Sequence, residues 1–154
     1  MDKIDKKILE LLQLNSQISN QELADKVALS PSPCSRRVKL LEDEGYINKY
    51  IALLNPQKLG LEMTILLFVG LNSHDPKKMR HFETAVSVMP EVMECLMIAG
   101  EKADYVLKIL VPNLDSYQSL LLNKITRIEV VSNVRSSFVL KSIVDRTALP
   151  LNHL

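Results

Sequence analysis

Along the first sixty residues the apolar positions recur at helical spacing. Ile4, Ile8, Leu11 and Leu12 fall on one stripe while the lysines and acids between them face away, which predicts a first helix. "SNQELADKV" opens with Ser19 and has Glu22 three residues later, a capping-box spacing that predicts a short second helix carrying Leu23 and Val27. After "ALS", Ser30 stands as N-cap with Pro31 at the first helical position, where the missing N–H costs nothing. That third helix runs to Gly45, which supplies its stop. Three short helices, the last two joined by a three-residue turn, make a helix-turn-helix pattern. The β-rich "YINKYIALLN" then predicts a small strand or wing, and "NPQKLGLE", with Pro56 and Gly60, reads as a hinge.

Beyond the hinge the period changes. "MTILLFVGL" reads as a buried strand, and Asp75 caps a helix with Pro76 at its first position and Met79, Phe82, Val86 and Met89 on its apolar stripe. "VMECLMIAG" and "DYVLKILV" are two strands joined through "GEKA". "LDSYQSLLLNKITRI" is a helix with Tyr117, Leu121, Ile125 and Ile128 on one side, and "VRSSFVLKSIV" is a last strand. The order is βαββαβ, the ferredoxin-like split unit, so the fold class is α+β. The expected domains are a winged helix-turn-helix over 1–54, a linker over 55–62, a ferredoxin-like domain over 63–145 and a tail over 146–154.

Two helices cover one face of such a sheet, yet both faces read as apolar. Val92, Leu96 and Ile98 alternate with Met93, Cys95 and Met97 in one strand, and Tyr105, Leu107, Ile109 and Val111 with Val106 and Leu110 in the next. An uncovered apolar face predicts burial against another copy, hence at least a homodimer.

Composition narrows the chemistry. With 47% hydrophobic residues and a formal net charge of +1, the 154-residue chain is no polycation, so attraction to nucleic acid has to come from a local patch. Cys34 and Cys95 lie far apart, in no CxxC arrangement, and read as small buried hydrophobes. The charged N-terminus lacks the apolar core of a signal peptide, and the most apolar run is far shorter than the ~20 residues of a spanning helix. The expectation is a cytoplasmic protein with no membrane partner.

The third helix supplies the local patch. On a wheel at about 100° per residue, Cys34, Val38 and Leu41 share the inward arc, while Ser32, Ser35, Arg36 and Lys39 share the opposite one. Hydroxyls and cations on the second helix of a short-turn pair are the chemistry that enters a major groove. Arginine reads guanine bidentately, serine binds base edges or phosphate, and lysine holds phosphate. Arg36 is the first candidate base reader, Ser32 and Ser35 follow, and Lys39 and Lys49 are assigned to the DNA backbone. Arg37, at the flank of the apolar arc, has two roles open: DNA contact, or an ion pair holding the helix to its neighbours.

"LSPSPC" with "RRVKLLEDEGYI", "MPEVMECLMIAGEKADYVLKILVPNLDSY" and the C-terminal "SSFVLKSIVDRTALPL" together resemble an Lrp/AsnC-type (feast/famine) transcriptional regulator over nearly the whole chain. The resemblance implies DNA binding by the N-terminal domain, ligand sensing by the other, and dimers that assemble further, often to octamers. It implies an effector, typically an amino acid, held between dimers near Gly100, Glu101, Lys102, Ala103, Asp104 and Tyr105, with the segment around Ser132 and Asn133 as a second part of the pocket. Glu101 and Asp104 offer acceptors for an ammonium group, and Lys102 and the Gly100 N–H offer donors for a carboxylate. The chain departs from the family pattern at Ala28, where glycine is usual, in a "GEKADY" loop one residue longer, and at Glu129 and Val130 in place of Pro-Gly.

An enzyme resembling the siroheme decarboxylases, which share this fold, is the alternative from another class. It needs basic residues gathered at a large pocket, and His74, His81 and His153 do not converge in the sequence reading. No phosphate loop, HExxH or Ser/His/Asp grouping occurs, so no catalytic residue, metal ligand or cofactor is assigned. An effector-independent architectural DNA binder is the third reading.

Overall fold

Asp2 decides where the first helix begins. Its Oδ1 accepts the N–H groups of Ile4 and Asp5 at 2.8 and 2.9 Å, and Asp5 Oδ2 accepts the Asp2 N–H at 2.8 Å. This reciprocal box starts α1, Lys3–Leu14. The computed structural model describes residues 1–100 and 102–154. They form two units, Met1–Leu53 together with Ile143–Leu154, and Leu54–Ser142.

In the first unit, Ser19 Oγ accepts the Glu22 N–H at 3.1 Å and opens α2, Asn20–Lys26. Glu22 pairs with Lys26 instead of returning to its cap. Pro31 opens α3, Pro31–Asp43, but Ser30 makes no side-chain cap bond. The helix ends by the glycine route: Gly45, at φ +78°, donates to Glu42 O, and Tyr46 donates to Leu41 O. Ile8, Leu23, Ala24, Cys34 and Leu41 form the centre of the core, with Leu9 and Val27 at its edge.

Two expectations for this unit need correction. Residues 46–55 form no strand, because the described elements of the unit are all helices and offer no strand edge to pair with. Tyr50, Ile51 and Leu53 are left exposed. The chain's end is also more than a tail. Gln13 uses both halves of its amide on Leu149, accepting the N–H at 2.6 Å and donating to the carbonyl at 3.3 Å, while Leu151 packs on the helical core.

The second unit holds a four-stranded antiparallel sheet built from β1 (Met63–Leu71), β2 (Val92–Met97), β3 (Tyr105–Val111) and β4 (Val131–Phe138), in the spatial order β2-β3-β1-β4. Two helices, α4 (Pro76–Ser87) and α5 (Leu114–Asn123), contribute Phe82, Val86, Tyr117 and Leu120 to a core with Ile65, Leu67, Val69, Leu107 and Ile109. The order is the expected βαββαβ.

Four details differ from the sequence reading. A register shift between Val92 and Glu94 puts Val92 opposite Ile109, on the same face as Cys95 and Met97, so Val92 leaves the set it was grouped with. The second helix stops at Asn123: Lys124 turns to φ −120°, ψ −65°, and a 3₁₀ turn over Ile125–Arg127 brings Ile125 and Ile128 inward. The last strand begins three residues before Val134 and ends at Phe138. Cys95 is exposed, against the expectation of burial, because it lies on an edge strand.

The outer sheet face is mixed. Leu66, Phe68, Val106 and Leu110 are half-buried and Leu96 is exposed, but Lys108 pairs with Glu94 at 2.9 Å and Arg135 lies 4.6 Å above the Phe68 ring.

The turn between α2 and α3 carries a measurable strain. Ala28, at φ 55°, is the one non-glycine among the described residues in the left-handed region. Relieving this costs nothing in contacts: Ala28→Gly removes about 1–2 kcal/mol of strain and adds about 0.5–1 kcal/mol of backbone entropy. The variant is expected to be more stable by up to about 1.5 kcal/mol, read from urea midpoints followed by helical circular dichroism.

Candidate DNA-binding and effector sites

The N-terminal site is one face of α3. Cys34 is fully buried and Leu41 nearly so, which fixes the helix's rotation and turns Ser32, Ser35, Arg36 and Lys39 to solvent. None of these four has a side-chain hydrogen bond or ion pair among the described residues. The two cations are therefore available to a partner.

Arg37 is different. Its Nη1 meets Asp2 Oδ2 and Asp5 Oδ1, each at 2.7 Å, so it clamps α3 onto the start of α1. The backbone N–H of Asp5, then Arg37, hold the Asp2 carboxyl below the usual range. Of the two roles left open for Arg37, the ion pair that holds the helix to its neighbour is the one whose contacts the structure contains. The anionic end of α3 is also occupied: Glu42 accepts the Tyr50 hydroxyl at 2.8 Å, and burial first, then Glu42, push that hydroxyl up to about 12. Lys49 is exposed on the unpaired segment that follows.

The C-terminal site gathers at the end of β1. Ser132 Oγ donates to Gly70 O at 2.9 Å, and Asn133 Nδ2 donates to Ser132 Oγ at 2.9 Å. A Cβ on Gly70 would run into the Asn133 amide, so glycine here makes room for that side chain. One residue on, the Leu71 N–H donates to Asp104 Oδ2 at 2.7 Å. Asp104, from the loop before β3, and Ser132 and Asn133, at the start of β4, thus converge on Gly70 and Leu71.

The other expected effector residues are distributed around them. Gly100 turns the loop at φ +91° with open space about it, and Lys102 is exposed. Tyr105 is 1% exposed, its ring 4.9 Å from Phe82 and its hydroxyl donating to Glu83 at 2.7 Å, so it anchors the loop in the core instead of facing a ligand. Burial is the first cause that pushes its hydroxyl far above the ordinary range. Glu101 lies outside the described residues.

Sequence reasoning missed two participants. His74 Nε2 lies 2.6 Å from Asp104 Oδ1, and Gly70 supplies both an acceptor and a vacancy. The glycine inside an apolar strand was a signal of close approach; nothing local pointed from position 74 to position 104.

The Leu71 N–H, then His74, hold the Asp104 carboxyl below the usual carboxylate range against the opposing effect of burial. A depressed folded value contributes stability above the unfolded value, about 3.9, and loses it as pH falls through the folded one. A carboxyl-carbon NMR titration should give Asp104 a midpoint below about 3.9, with the loop order lost only under that pH. Asp104→Asn should abolish this acid-dependent loss.

The chain is similar to three sets of known proteins. The family model described as Lrp/AsnC ligand binding domain matches residues 64–149, and that described as winged helix-turn-helix DNA-binding matches residues 1–48. The chain is 38% identical over 149 residues to the leucine-responsive regulatory protein of Escherichia coli K12, covering 97% of this chain and 90% of that one. It is 39% identical over 151 residues to the Bkd operon transcriptional regulator of Pseudomonas aeruginosa, covering 98% of each. Among solved structures, a Neisseria meningitidis transcriptional regulator in complex with L-methionine superposes with a TM-score of 0.95 at 39% identity, covering 99% of this chain and 98% of that one. Escherichia coli AsnC superposes with a TM-score of 0.88 at 26% identity, covering 96% of this chain and 97% of that one. With a helix-turn-helix unit presenting a cationic helix and a ferredoxin-like unit matched by the family's ligand-binding model, the chain belongs to the Lrp/AsnC family of DNA-binding transcriptional regulators.

Proposed function

We propose that the protein is a sequence-selective regulator whose grip on double-stranded DNA is set by an amino acid bound at the end of β1. The observation that carries the DNA half is the free cationic face of α3: Arg36 reads a base edge, Ser32 and Ser35 contact bases or phosphates, and Lys39 and Lys49 hold the backbone. Arg37 stays with Asp2 and Asp5 and keeps α3 at the angle that presents this face. The protein works where its DNA is, in the cytoplasm; among the described residues no helix is long and apolar enough to cross a membrane.

The effector half rests on the Gly70–Leu71 cluster. A free amino acid needs acceptors for its ammonium and donors for its carboxylate, and the loop from Gly100 to Tyr105 with Ser132 and Asn133 offers both. The methionine complex of the Neisseria relative supports an amino acid as the ligand class.

Homodimers that assemble further, to octamers on the family pattern, complete the reading. The half-buried outer sheet face and the exposed Tyr50, Ile51 and Leu53 are the surfaces a second copy would cover. A two-fold dimer then sets two α3 helices in successive major grooves, about 34–36 Å apart. The amino acid alters assembly or helix spacing and so DNA affinity.

Two measurements test this. Arg36→Ala should weaken binding to the selected operator by about 1–3 kcal/mol while nonspecific binding changes far less; equal loss on all DNA would make Arg36 a phosphate contact. In a thermal-shift screen, an amino acid at 100 times its dissociation constant should add about 2.7 kcal/mol of stability. A full screen without a shift would overturn the effector half.

A further inference from the structure

We propose that His74 is a positioning residue for the effector site: by donating its Nε2 proton to Asp104 it holds residues 102–105 against the end of β1. This rests on the reading that the loop takes the effector.

The case comes from how Asp104 is held. Its four polar groups are all engaged. The N–H donates to Val69 O at 2.9 Å, the carbonyl accepts the Ile98 N–H at 2.9 Å, Oδ2 accepts the Leu71 N–H at 2.7 Å, and Oδ1 meets His74 Nε2 at 2.6 Å. Three of these partners are backbone groups of the hairpin and of β1. His74 alone is a side chain. An ionised carboxylate is acceptor-only, so the proton between the two groups sits on Nε2, whether the ring is neutral or charged.

His74 also stands on a braced turn. The Asn72 N–H donates to Val130 O at 2.9 Å, and the Asn72 amide donates to Glu129 O at 3.1 Å. Asp75 then caps α4 through the N–H groups of Lys77 and Lys78 at 2.9 and 3.2 Å. A ring fixed between those points ties the effector loop to the same turn that carries the start of β4. The consequence is register: Asp104 stays beside Leu71 while Ser132 and Asn133 stay beside Gly70. At 69% exposure the imidazole contributes little to the core, so its function is this contact.

The test compares the full-length wild type with His74→Ala and His74→Gln by amide hydrogen exchange and by titration with the amino acid found in the thermal screen. In His74→Ala the Leu71 amide and residues 98–105 should exchange about tenfold faster and amino-acid affinity should fall about tenfold, the loss of one charge-assisted hydrogen bond. His74→Gln keeps a nitrogen donor at similar reach and should restore most of both. Unchanged exchange in the alanine variant, or faster exchange with unchanged affinity, would overturn the proposal, as would failure of glutamine to rescue. If the wild type binds none of the amino acids, the effector reading falls, and the exchange comparison still decides whether His74 holds the loop.

Discussion

An inner strand has to end somewhere, and the last two residues of β1 set the terms for the rest of its unit. β1 is paired on both sides as far as Val69; at Gly70 and Leu71 the β3 side runs out while β4 continues alongside. A buried N–H left without a partner there would cost about 1–3 kcal/mol. The Asp104 carboxylate takes the Leu71 N–H and Ser132 takes the Gly70 carbonyl. Finishing the sheet and gathering a cluster of polar side chains are therefore one event. Ser132 and Asn133 are fixed by the strand that carries them, and Asp104 is the member of the cluster that comes from a loop.

The same economy governs the helical unit. Asp2 and Asp5 begin α1 by capping its N–H groups and still have oxygens free for Arg37. One step along the helix, about 100° round, Arg36 has no such partner among the described residues. On the proposed reading, two neighbouring arginines divide structure and function between them: Arg37 bonds α3 to α1, and Arg36 is left for what α3 would meet. A partly exposed bridge of this kind, one guanidinium nitrogen shared by two carboxylates, contributes modestly to stability. Its value lies in direction, since a recognition helix only a few degrees off presents its side chains to the wrong edge of a base.

Much of this was legible in the sequence because it is local. Ser19, Asp75 and Pro76 marked helix starts, Gly45 marked a stop, and the change from helical to alternating apolar spacing marked the change of unit. The wheel of α3 separated Cys34 and Leu41 from Arg36 and Lys39 for the same reason. What was not legible depends on partners distant in the chain. Arg37 lies 35 residues from Asp2, His74 lies 30 from Asp104, and Gln13 lies 136 from Leu149. The bulge at Met93 inverts the phase of a strand that reads as uniformly apolar, and no alternation rule detects it when both phases are apolar. Strand propensity in residues 46–55 was real but idle, since a strand exists only with a neighbour to bond.

The polar fixtures on the outer sheet face bear on what kind of assembly the proposed dimer would be. A face meant for permanent burial gains from being apolar throughout, because each buried charge carries a desolvation cost that its pair only partly offsets. Here Lys108 and Glu94 pair across strands and Arg135 caps Phe68, so the charges already have partners before any second chain arrives. Such pre-paired groups enter an interface with less loss than free ones, and they penalise any approach that would separate them. In the proposed dimer the half-buried Leu66, Phe68, Val106 and Leu110 would supply attraction, while the paired charges would limit the alignments that keep them paired. An association of moderate strength and fixed register is what a regulator needs if a small molecule is to shift its assembly, since a coupling energy of about 1–3 kcal/mol cannot redirect an interface that is far stronger than that.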